Sequence, residues 1–464
     1  MANTTEYIEA YYIDQRNGSD DNLGTRDSPL RTIQKGVNVA AENNNDGNKI
    51  YLTDGIHYLN KTLEINQQSG TSGSPLTIQP APGASVIVDG HSVSDSRRGL
   101  IEIKDANHVD IKGLEIRNSP NHGIEVINGD YIDIYDNLVY DTRGMGIRVR
   151  GYIPNSPYES DTTVQSTNVK IEGNGVYKTN LSNGGANKGK ANWGAAIQAW
   201  NADDVTIVNN TVGENYGEGI GLSLVDDGKV ANNIVYDNYS VQVYLDNVTD
   251  SEVEANFIFD GGDRRFHRFD LPANGIAMAN EVHNVANPEK FYLNNNTITR
   301  NVIVNSNTGI VYGTWGGIHQ SQSENWRGLK NTDITHNTVY NPEFNAVRFY
   351  PDFNVSNVNI AHNIFHQDSG GGSLADIDDL TGINFTRNLW SGGDPVDGST
   401  PSDIMEDPQL VNAGGYSIAD YRLRSNSAAI DAVNYSSDSF VTDGQADLGA
   451  LEFGQPAFAT GGFN

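Results

Sequence analysis

Residues 193–247, WGAAIQAWNADDVTIVNNTVGENYGEGIGLSLVDDGKVANNIVYDNYSVQVYLDN, spell one unit more than once. An apolar pair, Val205 and Ile207, leads to Asn210 and Val212, then to a turn and a Gly-Ile strand at Gly219 and Ile220. The next unit repeats the order as Val230, Asn233, Val235, a turn, and a strand through Val243 and Leu245. Asn233 follows Asn210 by 23 residues. A fixed period of this size without a helical pattern marks a solenoid, whose units bury their apolar faces only against their neighbours. Each period reads as one coil of a parallel β-helix.

Aligned on that strand, the chain beyond residue 100 places Leu114, then Asn137, Asn174, Asn210, Asn233, Asn256, Asn301, Asn337, Asn363 and Asn388 at one slot. Nine successive asparagines there predict a stacked ladder, each amide bonding the coils on either side. The intervals range from 23 to 45 residues, and the excess falls in two places. It precedes the Gly-Ile strand at 178–194 and 261–273, and follows it at 151–167, 281–296 and 313–330. Insertions at both ends of one strand predict two walls along one sheet, and so an open groove.

The predicted fold class is all-β, a single-domain parallel β-helix with an N-terminal capping helix and long loops flanking one sheet. Residues 1–95 read as the N-terminal cap and first coils, 96–400 as the core with groove-forming insertions, and 401–464 as C-terminal coils and a tail. In the cap, Ile33, Val37, Ala40 and Ala41 fall at helical spacing between Thr32 and Glu42, with Thr32 as N-cap. Such a helix suits the open end of a solenoid. The 49 glycines fit short strands and tight turns. A net charge of −29 argues against nucleic acid as a partner, and zero cysteines exclude disulfides and thiol chemistry. No apolar run approaches the ~20 residues of a membrane span. The start, MANTTEYIEAYY, has no apolar signal core, so the leader of a secreted or cell-surface protein would be absent from this chain.

Alternation assigns the groove floor. With Ile147, Ile197, Ile220, Val243, Ile276 and Val347 inward, Arg148, Arg150, Gln198, Trp200, Glu218, Ser223, Gln242, Tyr244, Asp246, Arg348 and Tyr350 point outward. The walls offer Arg264, Arg265, His267 and Arg268 on one insertion, and Lys188 and Lys190 beside Trp193 on another. The opposite wall carries Trp315, His319, Trp326 and Arg327. Cations on an acidic scaffold point to an anionic ligand, because arginine forks match carboxylate and sulfate. The competing reading of RRFHR is a set of surface ion pairs with Asp263 and Asp270. Trp193, Trp200, Trp315 and Trp326 either stack on sugars or anchor loops.

The chain resembles the right-handed parallel β-helix proteins of the pectate-lyase-like superfamily over nearly its whole length. The entry YYIDQRNGSDDNLGTRDSPLRTIQKGV and the exit DPQLVN…YRLRSNSAAIDA…DLGALEFG carry that resemblance. It implies a right-handed coil and a carbohydrate-active protein. Members include polysaccharide lyases, uronan C5-epimerases, glycoside hydrolases and non-catalytic adhesins, and fold alone does not choose among them. The DPHE segment of alginate epimerases and the paired aspartates of polygalacturonases have no match here.

Elimination and C5-epimerisation share one first step, removal of a weakly acidic proton beside a uronate carboxylate. That step needs the carboxylate neutralised by arginine or a metal, and a base to take the proton. The leading expectation is therefore a polysaccharide lyase or C5-epimerase acting on an anionic, uronate-containing polysaccharide. Its catalytic candidates are Tyr244 as first choice of base, Arg265 as neutraliser, His267, Lys190, Glu218 and Asp246. Arg148, which could also neutralise, stands with Arg150, Lys188, Trp193, Gln198, Trp200, Arg264, Arg268, Trp315 and Arg348 as candidates for substrate binding. Ca²⁺ could share the neutralising role, and no organic cofactor is called for. The alternatives are a glycoside hydrolase using Glu218 with a second carboxylate, and a non-catalytic glycan-binding solenoid. Glu218 and Asp246 sit five strand positions apart, roughly 16 Å, too far for a hydrolytic pair unless the strand bends.

Overall fold

An asparagine fixed at one turn of every coil can bond the coils above and below it, and that repeated bond sets the architecture. The computed structural model describes residues 10–42, 49–152, 165–185, 194–281, 292–313, 328–350, 354–368, 373–395, 399–434 and 445–458. These residues form a right-handed parallel β-helix with three strand faces. The groove face runs from Leu63–Asn66 through Ile124–Ile127, Ala195–Val208, Glu218–Ala231 and Val241–Asp246 to Ala375–Ile377. Ala195–Val208 and Glu218–Ala231 continue round a corner into the second face, so the two faces count as one 23-stranded sheet. The third face is a separate 12-stranded sheet from Gly55–Tyr58 to Leu389–Ser391.

Like residues stack from coil to coil because the pairing is parallel and in register. Ile147, Ile197, Ile220, Val243, Ile276, Ile310 and Val347 form one such column, each with no solvent exposure. Burying one such side chain contributes roughly 1.5–3 kcal/mol.

The asparagine ladder is continuous. The backbone N–H and side-chain amide of Asn137 both donate to Asn174 Oδ1, at 3.0 and 3.1 Å. The same pair of bonds joins Asn210 to Asn233 and Asn233 to Asn256, and the run ends with Asn363 on Asn388. Each amide also donates to a carbonyl of the preceding coil, as Asn233 does to Ile207 at 2.9 Å. All nine asparagines are fully buried. The residue before each is left-handed, including Ala255, Arg300 and Arg387 at φ of 53°, 55° and 50°. That conformation costs such residues about 1–2 kcal/mol, and the ladder holds it.

The helix Ile33–Glu42 covers the N-terminal end, with Thr32 Oγ1 accepting from the Lys35 N–H at 3.2 Å. The C-terminal region departs from expectation. Asp403 Oδ1 accepts the Asn388 N–H, which closes the ladder, and Ile404 adds one bridge to Leu389. The described chain beyond adds no further coils. It folds back over the outer surface of the third face, packing Leu410, Tyr421, Leu423 and Leu448 on Phe257, Val304, Tyr340 and Ile364. Among the described residues this tail packs on the third face.

Asn233→Ala removes both bonds accepted from Asn210 and leaves Ile207 O and Asn256 Oδ1 short of a donor. The expected loss is at least about 3 kcal/mol in urea unfolding. Asn384→Ala, on an exposed strand position, is expected to stay within about 0.5 kcal/mol of the parent.

Candidate functional site

The groove floor is shaped by small residues one step before the stacked apolar column, at Gly123, Gly146, Ala196, Gly219, Gly275 and Gly309. A Cβ on Gly219 would lie 2.4 Å from the Gln242 carbonyl oxygen and 2.7 Å from Val235 Cγ1. Position 219 therefore faces the interior, as Ile220 does. Two consecutive inward positions break the alternation, and Glu218 is carried to the groove side. Gln242 occupies the same inward slot, which corrects its expected outward direction. It is 1% exposed, and its Oε1 accepts from Asn238 Nδ2 at 2.7 Å, extending a second short ladder from Asn215.

Around Glu218 the floor gathers three carboxyl groups, a phenol and a guanidinium. Tyr244, in register with Gly221, donates its hydroxyl to Glu281 Oε1 at 2.8 Å. The Glu281 N–H donates to Asp246 Oδ1 at 3.0 Å. Arg268 reaches in from its insertion to donate to Ser240 Oγ at 3.0 Å, and its charge acts on Glu218. Gly221 leaves a gap in the outward column between Gln198 and Tyr244, one rung either side.

Glu218 keeps some surface open to solvent, yet protein crowds its carboxyl from all sides. Burial, then the negative charges of Glu281 and Asp246, push its pKa up to about 8 from 4.5, and Arg268 offsets this only in part. Glu218 and Asp246 thus share one electrostatic neighbourhood, where strand counting had them too far apart to cooperate. The same surroundings act on Tyr244, the first-choice base. Burial and then the charges of Asp246, Glu281 and Glu218 hold its hydroxyl pKa well above 10, so it stays a hydrogen-bond donor at neutral pH.

The RRFHR wall is mostly paired with its own acids. Arg265 forks onto Asp263, Arg264 lies 3.4 Å from Asp270, and His267 is 2.9 Å from Asp260. Arg265 and His267 are therefore not brought to the carboxyl cluster, and Arg268 is the member that is. These acids lie within seven residues in sequence, so local pairing beats the groove. Arg148 and Arg150 both bind Glu125, at 3.2 and 3.1 Å. Arg348 pairs with Asp376 at 3.1 Å and lies over the Tyr350 ring. Gln198 donates to Ser223, and Trp200 stands partly exposed between Arg150 and Ser223. Beyond Tyr244 the floor turns apolar, with Ala277, Ala279 and Val311 buried beside Val241. Lys188, Lys190, Trp193, Trp315, His319, Trp326 and Arg327 lie outside the described residues.

Sequence reasoning did not name Glu281. Its signal was an acid just past the end of a floor strand, where the insertion begins. Among the described residues no three His, Asp or Glu side chains converge as a metal ligand set, so no step is assigned to Ca²⁺. No helix among them is long and apolar enough to cross a membrane.

A carboxyl with a raised folded pKa binds its proton more tightly in the folded than in the unfolded chain. Glu218 therefore makes stability fall as pH rises from 4.5 towards 8, after which its contribution is flat. Glu218→Gln, which has no proton to lose, is expected to match the parent near pH 4 and to melt higher than the parent at pH 9. Thermal melting across that range checks the sign.

The chain matches the model "Right handed beta helix region" over residues 99–350, and the model "Pel9A-like, right handed beta helix region" over residues 11–168. It is 31% identical over 153 residues to pectate lyase PEL9 of Emericella nidulans, a stretch covering 30% of this chain and 35% of that one. The match thus spans about a third of that relative. Among solved structures, the XylC complex with xylose superposes with a TM-score of 0.60 at 11% identity, covering 86% of this chain and 87% of that one. A rhamnogalacturonan lyase superposes at 0.52 with 14% identity, covering 97% and 96%. At these identities the structural likeness concerns the fold. With three-faced coils, an unbroken ladder and a family match over more than half of its length, the chain belongs to the right-handed β-helix family.

Proposed function

We propose that the groove cleaves a glycan chain, with Glu218 delivering a proton to the oxygen of the breaking glycosidic bond. What supports this reading is the placing of the Glu218 carboxyl beside Asp246 and Glu281, where burial and their negative charges push its pKa up to about 8. A general acid works best when its pKa lies near the operating pH. Asp246, fixed by the Glu281 N–H, supplies the second carboxyl that hydrolysis requires, as base towards water or as nucleophile. Tyr244 and Gln198 flank the gap at Gly221 and offer hydrogen bonds to sugar hydroxyls.

Elimination from a uronate chain is the second reading, favoured by the 31% identity to pectate lyase PEL9. Arg268 then replaces Arg265 as the group facing a substrate carboxylate, and C5-epimerisation would begin with the same step. Either polymer would be met outside the cell, so the proposal includes export.

The test is incubation with a panel of neutral and uronate-containing polysaccharides, reading reducing ends and the ultraviolet absorbance of unsaturated uronate. Reducing ends without absorbance are expected for hydrolysis, and both together for elimination. Glu218→Gln is expected to lose about 10²- to 10⁴-fold in rate, and Tyr244→Phe less than about tenfold. Asp246→Asn removes a charge that raises the Glu218 pKa, so any residual activity is expected to fall off at lower pH than in the parent. Equal rates for Glu218→Gln and the parent would end this assignment.

A further inference from the structure

A second site lies at the N-terminal end of the β-helix. A cleft of about 940 Å³ opens between the helix Ile33–Glu42, the loop at Arg16 and the turn at Tyr58–Lys61. Arg16, Arg31, Lys35 and Lys61 line it. None of the four has an ion-pair partner among the described residues, whereas Arg98, Arg148, Arg150, Arg265 and Arg348 all bind carboxylates. In a chain with 59 acids and 30 bases, this cleft gathers four cations and one carboxylate. The one carboxylate in the lining, Asp20, is already engaged. Its Oδ1 accepts the N–H groups of Arg31 and Thr32, at 3.0 and 2.9 Å, and its Oδ2 accepts the Thr32 hydroxyl at 2.8 Å. Lys35 stands in the first helical turn, where the dipole disfavours a cation, and no acid accompanies it there.

The rest of the lining is suited to sugar. Tyr58 is 49% exposed, and Asn38, Asn60 and Ser92 present amide and hydroxyl groups around it. Ile56 and Tyr58 of the third face and the buried Leu63, at the start of the groove face, place the cleft at the corner between the two faces. The groove-face register runs Leu63, Ile101, Ile124, Ile147, Ile197, Ile220, so the cleft lies five rungs from Glu218, roughly 24 Å.

We propose that this cleft binds an acidic glycan, with Arg16, Arg31, Lys35 and Lys61 holding a carboxylate or sulfate group on it. The site does not depend on the role given to Glu218. A chain lying along the groove could fill both sites, but the cleft would bind whether or not the groove cleaves.

The probe is a fluorescently labelled uronate oligosaccharide, compared with its carboxyl-reduced, neutral counterpart by anisotropy at low salt. The Arg16→Gln/Arg31→Gln/Lys61→Gln variant changes only exposed side chains, and thermal melting confirms that it folds. It is expected to bind the acidic oligosaccharide at least about tenfold more weakly than the parent. Arg424→Gln, an exposed cation on the C-terminal tail outside both sites, is expected to bind like the parent, which separates this site from a general loss of positive charge. The neutral counterpart is expected to bind at least about tenfold more weakly than the acidic one. Unchanged affinity in the triple variant, or equal binding of both probes, would overturn the proposal. Displacement by an equal concentration of inorganic sulfate would overturn its glycan half.

Discussion

The asparagine ladder is the interaction on which the rest of this molecule depends. Each amide satisfies buried backbone groups of neighbouring coils, so no coil has a complete turn without the next one. The residue before it is forced left-handed even where it is alanine or arginine. Nine turns held to one geometry keep the coils in register, and register stacks the side chains on all three faces. The groove floor inherits its order from that stack.

Its chemistry comes from the one point where alternation fails. The interior carries valine and isoleucine opposite the Gly219 column, and at Gly219 itself a Cβ would have no room. The strand turns its preceding residue outward, and in the coil of Glu218 that residue is an acid. Asp246 and Glu281 then surround it with negative charge in a partly dehydrated setting. Three carboxyl groups in one place are costly to the fold, and proton retention by Glu218 relieves part of that cost.

Much of this was legible in the sequence, for physical reasons. The ladder leaves an asparagine at a fixed slot, the core leaves apolar pairs, and insertions leave long intervals. The capping helix carries its own spacing and N-cap. Strict alternation placed Tyr244, Asp246 and Gln198 correctly, but it misplaced Gln242, because a two-residue inward step has the same local sequence as a straight strand. It also treated Glu218 and Asp246 as independent, whereas the charge of Asp246 acts on Glu218. Composition drew attention to the RRFHR cluster, yet an arginine two residues from Asp263 satisfies itself locally. Nothing in the one-dimensional pattern distinguishes Arg268, whose reach depends on the path of its loop. The exit motif points to C-terminal coils, whereas its described apolar residues pack on the outside of the third face.

The central claim is that Glu218 remains protonated at neutral pH on the groove floor. The most direct measurement is an NMR titration of the side-chain carboxyl carbons in protein labelled at glutamate, with Glu218→Gln identifying the resonance. A midpoint near 8 is the expected result. A midpoint near the ordinary glutamate value of about 4.3 would contradict the account and leave the groove without its proton donor.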